Sequence, residues 1–145
     1  MDKYGDVKIG DEFFYRRKVG INKWRAIHFG RDFYLSCKVV RVTKSQFSTE
    51  LGRYRKNDGC SIGGAPSIHK AGDCHRWLGL LVVIPSECQS SAAESYKREI
   101  QPLMDARNVD LRRIEVTNFK NIETAKSAAS LILQLDALVM AEAEK

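Results

Sequence analysis

The chain has 145 residues and a mass of 16.4 kDa, with 24 Lys and Arg against 18 Asp and Glu, a formal charge of +6. Its apolar content of 43% excludes global disorder, and its length suits one domain or a small domain with an appendage. The longest apolar run, Leu78 to Pro85, falls far short of the ~20 residues a membrane-spanning helix needs.

The opening residues Met1 to Asp6 lack the apolar stretch of a secretory signal. Cys37, Cys60, Cys74 and Cys88 form no dense framework and read as free thiols of a reducing compartment. The expectation is a cytoplasmic protein with no membrane contact. Charge divides the chain: residues 1–84 hold 16 Lys and Arg against 8 Asp and Glu, and residues 85–145 hold 8 against 10. A shift that large predicts two pieces, 1–84 and 85–145, with Pro85 on the boundary.

The first piece reads as β. Gly10-Asp11 is a turn signal before the aromatic-rich strand Glu12 to Arg17. A second strand is expected over Trp24 to Phe29, ended by Gly30. A third spans Tyr34 to Thr43, with Leu35, Cys37, Val39 and, as a fourth candidate, Arg41 on one face. Ser36, Lys38, Val40 and Val42 take the other. Gln46–Glu50 and Arg53–Lys56 flank Leu51-Gly52 as a hairpin. Residues 57–76, with four glycines and Pro66, read as a long irregular loop, and Leu78–Ile84 as a closing buried strand. Short strands with frequent turns favour a small barrel or sandwich.

The second piece reads as α. Ser86, with Gln89 three residues on, fits a capping box for a helix over about 87–107 that Pro102 divides or kinks. Residues 111–116 are ambiguous between strand and short helix. Asn121 fits the N-cap of a last helix to about Ala143, whose stripe of Ala125, Ala128, Ala129, Ile132, Leu135, Leu138 and Val139 suits packing or a homodimer seam through 122–140.

The run Val7 to Phe13, with its Gly10-Asp11 turn, resembles the opening of small SH3-like barrels, including KOW-type modules. Val40 to Phe47 followed by Gly52 to Gly59 is similar to small bacteriophage accessory proteins that join a β module to a helical tail. The resemblance covers about residues 7–63, and the long 57–76 loop departs from a KOW module. It implies an α+β protein, a small SH3-like antiparallel β-barrel with a C-terminal helical appendage, phage-encoded and acting in host takeover or anti-defence. It carries over no catalytic residue.

The functional candidates are basic and aromatic. Arg16, Arg17, Lys18, Lys23, Trp24 and Arg25 bracket the first hairpin; Arg41, Lys44, Arg53, Tyr54, Arg55 and Lys56 occupy the third strand and second hairpin. Alternation places Arg53 and Arg55 on one face, and Tyr54 and Lys56 on the other. Such rows reach successive phosphates, and an exposed Trp24 or Tyr54 can stack a base. The competing reading buries Trp24 and Tyr54 and leaves the charges as a solvated exterior.

Cys60, His69, Cys74 and His75 are chemically fit for zinc, but adjacent Cys74 and His75 and the lack of a C-x-x-C pair make a poor ligand set, so no metal is expected. The competing reading there is a buried Cys74 and two exposed loop histidines. No catalytic motif is present, and neither an enzyme nor a cofactor is expected. The partner is then nucleic acid or an acidic host protein that the chain binds and blocks.

Overall fold

A computed structural model describes residues 2–145. The chain forms two compact units, residues 1–102 and residues 103–145. The division falls at Pro102, inside a helix.

The first unit is built on a curled antiparallel sheet. Its strands are β1 (Glu12–Lys23), β2 (Ala26–Val42), β3 (Gln46–Thr49), β4 (Gly52–Arg55), β5 (Ser61–Ile62) and β6 (Ile68–His69), in the order β5-β4-β3-β2-β1-β6. Among the described residues β5 and β6 do not pair, so the sheet is an open half-barrel. A separate hairpin pairs β7 (Cys74–Trp77) with β8 (Leu80–Val83). Helix α1 (Ser90–Arg107) follows, and the protein is α+β.

Consecutive residues Phe13 and Phe14 point to opposite faces of β1, yet both are buried. The sheet is therefore covered on both sides at this point. On the inner face Tyr4, Phe13, Phe47 and Tyr54 form an aromatic row with Cys37, Val39 and Ile68. Ring centroids lie 5.4 Å apart for Phe13–Phe47 and 5.6 Å for Phe47–Tyr54. Each such side chain stabilises the fold by about 1.5–3 kcal/mol through burial. On the outer face Phe14, Tyr34 and Ile84 pack together beneath β8. Further along the inner face, Ala93 and Tyr96 of α1 lie on Phe33 and Leu35. That contact is why the first half of α1 belongs with the sheet.

The N-terminal segment closes one end. Asp11 accepts from the Lys8 N–H at 2.8 Å, which holds the turn before β1. Tyr4 donates its backbone N–H to Lys56 at 2.9 Å. Its ring covers Gly59, where any Cβ would collide with it.

Several expectations change. The first hairpin turns at Trp24-Arg25, between Lys23 and Ala26, so Trp24 lies in a turn and not in a strand. β1 runs past Arg17 to Lys23, and β2 runs through Gly30 without a break, because a bulge absorbs the irregularity. Gly20 faces Phe29-Gly30, and a Cβ on Gly20 would lie 2.5 Å from Ile27 Cγ2. A second register shift between Val39 and Arg41 reverses the alternation expected for β2. Val42 then packs on the core and Arg41 is exposed.

The expected 57–76 loop contains β5, β6 and the start of β7. The expected strand Leu78–Ile84 loses its first two residues to the turn Leu78-Gly79, both with positive φ (49° and 80°), and β8 begins at Leu80. Most of it is exposed, and only Ile84 is buried. Ser86 caps no helix. Gln89 instead holds the backbone of Tyr34 from both sides, accepting its N–H at 2.8 Å and donating to its carbonyl at 2.9 Å.

In the second unit Asp110 caps a short 3₁₀ turn, Leu111–Arg113, and a second turn spans Val116–Asn118. Helix α2 (Ile122–Ala143) starts at Asn121, whose side chain accepts from the Glu123 and Thr124 N–H groups at 2.9 and 3.2 Å. The predicted cap is the observed one. Ala125, Ala128, Ala129 and Ile132 are half-buried, but no α2 residue is buried, and Leu131, Leu133, Leu135 and Leu138 are exposed. The helix is long and apolar enough, by length and composition, to cross a membrane. An unbroken-run criterion overlooks it because Ser127, Ser130, Gln134 and Asp136 interrupt the apolar residues.

Candidate nucleic-acid interface

The structure divides the sequence-derived candidates into three groups. The first lies on the outer face of β2–β4. Arg41 stands opposite Ser48, which stands opposite Arg53. Strand spacing puts the two arginine backbones roughly 10 Å apart. Arg55 stands two pairs further along, opposite Gln46, on the same face. With Lys44, Ser45, Asn57 and Asp2 it lines a shallow groove of about 410 Å³. Arg55 also pairs with Asp58 at 3.0 Å. The Asp58 carboxyl is held below its ordinary range, chiefly by the Cys60 N–H it accepts and then by Arg55. The Arg55 charge is thus partly offset, while Arg41, Lys44 and Arg53 are exposed.

The second group is the β1–β2 arm. Residues 16–31 hold six Lys or Arg and no Asp or Glu. Arg17, Lys18, Lys23, Arg25 and Arg31 are exposed. Trp24 is 86% exposed at the turn, with the Arg25 guanidinium 5.1 Å from its ring centroid. Arg25 and Phe29 both adopt positive φ, 60° and 53°. For side chains of this bulk that backbone is strained and is held by its surroundings. The holding contact at Phe29 is visible: its carbonyl accepts the Tyr96 hydroxyl of α1. Arg31 lies 4.9 Å from the Tyr96 ring centroid, so α1 braces one side of the arm.

The third group is removed from the surface. Tyr54 is 0% exposed and donates its hydroxyl to the Pro66 carbonyl at 2.8 Å, so it cannot stack a base. Lys56 is buried beside it in sequence, because its backbone is paired on one side with Tyr4 and on the other with Ser45. Arg16 is half-buried beneath the β7–β8 hairpin. Its guanidinium lies 3.3 Å from the Trp77 ring centroid and 4.0 Å from Asp32.

Sequence reasoning missed the surroundings of Arg16. His69 and His75 are half-buried on β6 and β7, with rings stacked at 4.5 Å and 6°. His75 Nε2 is 3.2 Å from the Tyr34 hydroxyl. Cys60 and Cys74 are exposed, the reverse of the buried Cys74 and exposed histidines considered above. Among the described residues no three His, Cys, Asp or Glu side chains gather as a metal site. The signal for the pairing was available in part. The segment 74–83, with Leu78-Gly79 at its centre, has the form of a hairpin about a two-residue turn.

Comparison of the chain with protein-family models, with curated proteins and with solved structures finds no match.

Proposed function

We propose that the protein binds nucleic acid through the β1–β2 arm, with the outer row of Arg41, Lys44, Arg53 and Arg55 as a second contact. The observation that carries this reading is the arm itself: five exposed basic residues, Arg17, Lys18, Lys23, Arg25 and Arg31, with an exposed tryptophan at its turn. Lysines and arginines displace condensed counterions from phosphates, and Trp24 offers a stacking surface for an unpaired base. In this reading the first unit is a non-enzymatic SH3-like module of phage-accessory type, working in the host cytoplasm without cofactor or metal. The Gly10-Asp11 turn before β1 and the open half-barrel agree with that module.

The test is titration of labelled DNA and RNA at increasing salt. Wild-type affinity should fall steeply with salt. The double variant K23A/R25A should reduce the slope of log K against log salt by about 1.4–1.8 if both residues contact phosphate. W24A should cost about 1–3 kcal/mol on single strands. Absence of binding at low salt, or a slope unchanged in the double variant, would refute the reading.

A second reading has its own observation. Leu78, Leu81 and Val83 of the β7–β8 hairpin are exposed, and contiguous exposed apolar residues favour a protein partner. The chain would then bind and block a host protein with an acidic surface. Capture of one defined host protein from nuclease-treated lysate, lost on Leu81→Asp, would favour it. A homodimer through 122–140, suggested by the exposed leucines of α2, is read by light scattering.

A further inference from the structure

Between β1, β6 and β7 lies a cleft of about 320 Å³, lined by Arg16, Pro66, Ser67, His69, His75 and Trp77. Its residues come from distant parts of the chain and meet because His69 pairs with Phe14, which puts it on the Arg16 face of the sheet. Hairpin β7–β8 then lays His75 and Trp77 over that face.

Three features of the cleft want an anion. Arg16 carries a full charge, yet its nearest carboxylate, Asp32, stands at 4.0 Å, beyond hydrogen-bonding distance. Its Nη1 is buried and has no hydrogen-bond partner. Buried guanidinium nitrogens are ordinarily paired, so the site lacks an acceptor. The two imidazoles are stacked so closely that both can hold protons only with a counter-charge beside them. Burial and then the neighbouring His75 hold His69 below its ordinary value, while Asp73 pulls upward and Lys3 and Arg16 pull downward. The charged groups around the pair are thus Arg16, Lys3, Asp73 and, beside Arg16, Asp32.

We infer that this cleft is a phosphate-binding site, with Arg16, His69 and His75 as its ligands and the Ser67 hydroxyl as a further donor. Phosphate fits better than carboxylate because donors of four residues line the cleft, and a carboxylate offers only two oxygens to them. Arg16 is pre-oriented by Trp77, so the fork is held before the ligand arrives. Binding draws a proton onto His69, and affinity rises as pH falls. The site stands apart from the Trp24 end of the arm and does not depend on the nucleic-acid reading. The phosphate is either free, as inorganic phosphate or a mononucleotide, or the terminus of a nucleic-acid strand.

The test is titration of the full chain with inorganic phosphate, followed by the imidazole proton resonances of His69 and His75 at constant ionic strength. Saturable shifts are expected for these two histidines and not for His28, stronger near pH 6 than near pH 8, with the titration midpoint of His69 moved upward. R16Q should lose at least about tenfold in affinity. Should R16Q fail to fold, R16K keeps the charge without the planar fork and should still bind severalfold more weakly. Equal shifts with chloride, no saturation, or unchanged affinity in either folded variant would overturn the inference. Matched oligonucleotides with and without a 5′-phosphate separate the two sources. A preference for the phosphorylated strand assigns the strand terminus, and equal response with tight inorganic phosphate assigns the free ion. Variants K23A/R25A leave these shifts unchanged, so failure of the arm reading and failure of the cleft are read separately.

Discussion

The guanidinium of Arg16 lies 3.3 Å from the centroid of the Trp77 ring and ties β1 to a hairpin far later in the chain. Hairpin β7–β8 pairs with no other strand among the described residues, so side-chain contacts hold it on the sheet. Trp77→Ala removes the stacking and should destabilise the first unit by about 1–2 kcal/mol in urea denaturation. Trp77→Phe should recover part of that. Equal stability in W77A and wild type would mean the hairpin is held by Ile84, Val82 and His75 without help from Trp77.

Tyr54 behaves as a core residue in any test of stability. Tyr54→Phe leaves the Pro66 carbonyl without its 2.8 Å donor and should cost about 0.5–1.5 kcal/mol. Tyr54→Ala also opens a cavity beside Phe47 and should cost about 3–5 kcal/mol. Neither should alter nucleic-acid affinity of the folded fraction. A selective loss of single-strand binding in Y54F, at unchanged stability, would return Tyr54 to the surface.

Cys88 differs from the other thiols in ionisation. It is exposed, and its Sγ sits 3.4 Å from the Ser36 N–H. Hydrogen bonding from Ser36, with a smaller share from Ser90, brings the thiol down to about 7. Burial pushes Cys37 up to about 11. Alkylation followed by peptide mass spectrometry should show Cys88 half-maximal near pH 7 and Cys37 protected in the folded chain. A Cys88 profile rising only above pH 8 would contradict the hydrogen bonding described.

Acid should weaken the first unit through His69. Its imidazole is held below the ordinary 6.5 by burial and by His75. Between those values the unfolded chain binds more protons than the folded one, so unfolding free energy rises with pH there and falls as pH drops below about 6.5. Above that window His69 adds no pH dependence. His69→Gln should flatten the acid limb of a stability–pH curve, and an unchanged limb would place the sensitivity elsewhere. Bound phosphate should oppose the same loss, since it favours protonated His69.

Much of the β unit was legible because local rules act alone there. Gly10-Asp11 turns, Glu12 to Arg17 is strand, and Gln46–Lys56 is a hairpin about Leu51-Gly52, as alternation and turn chemistry require. Arg53 and Arg55 face outward and Tyr54 inward by the same period of two. What failed was registration. The residue opposite Gly20 is not one but two, and Val40 has no partner between Thr49 and Ser48. A bulge shifts every later residue to the other face, and nothing in a single strand's composition announces it.

The sequence alone determined the charge asymmetry, the basic run around the first hairpin, the aromatic strand and the Asn121 cap. Each depends on residues within a few positions of one another. Only the tertiary structure decided which cations stay in water, that Lys56 and Tyr54 leave it, and that Arg16, His69 and His75 share one cleft. Those outcomes rest on strand pairing and hairpin docking between segments far apart in the chain. The energy that selects such partners is burial of both surfaces at once, and it belongs to neither segment by itself.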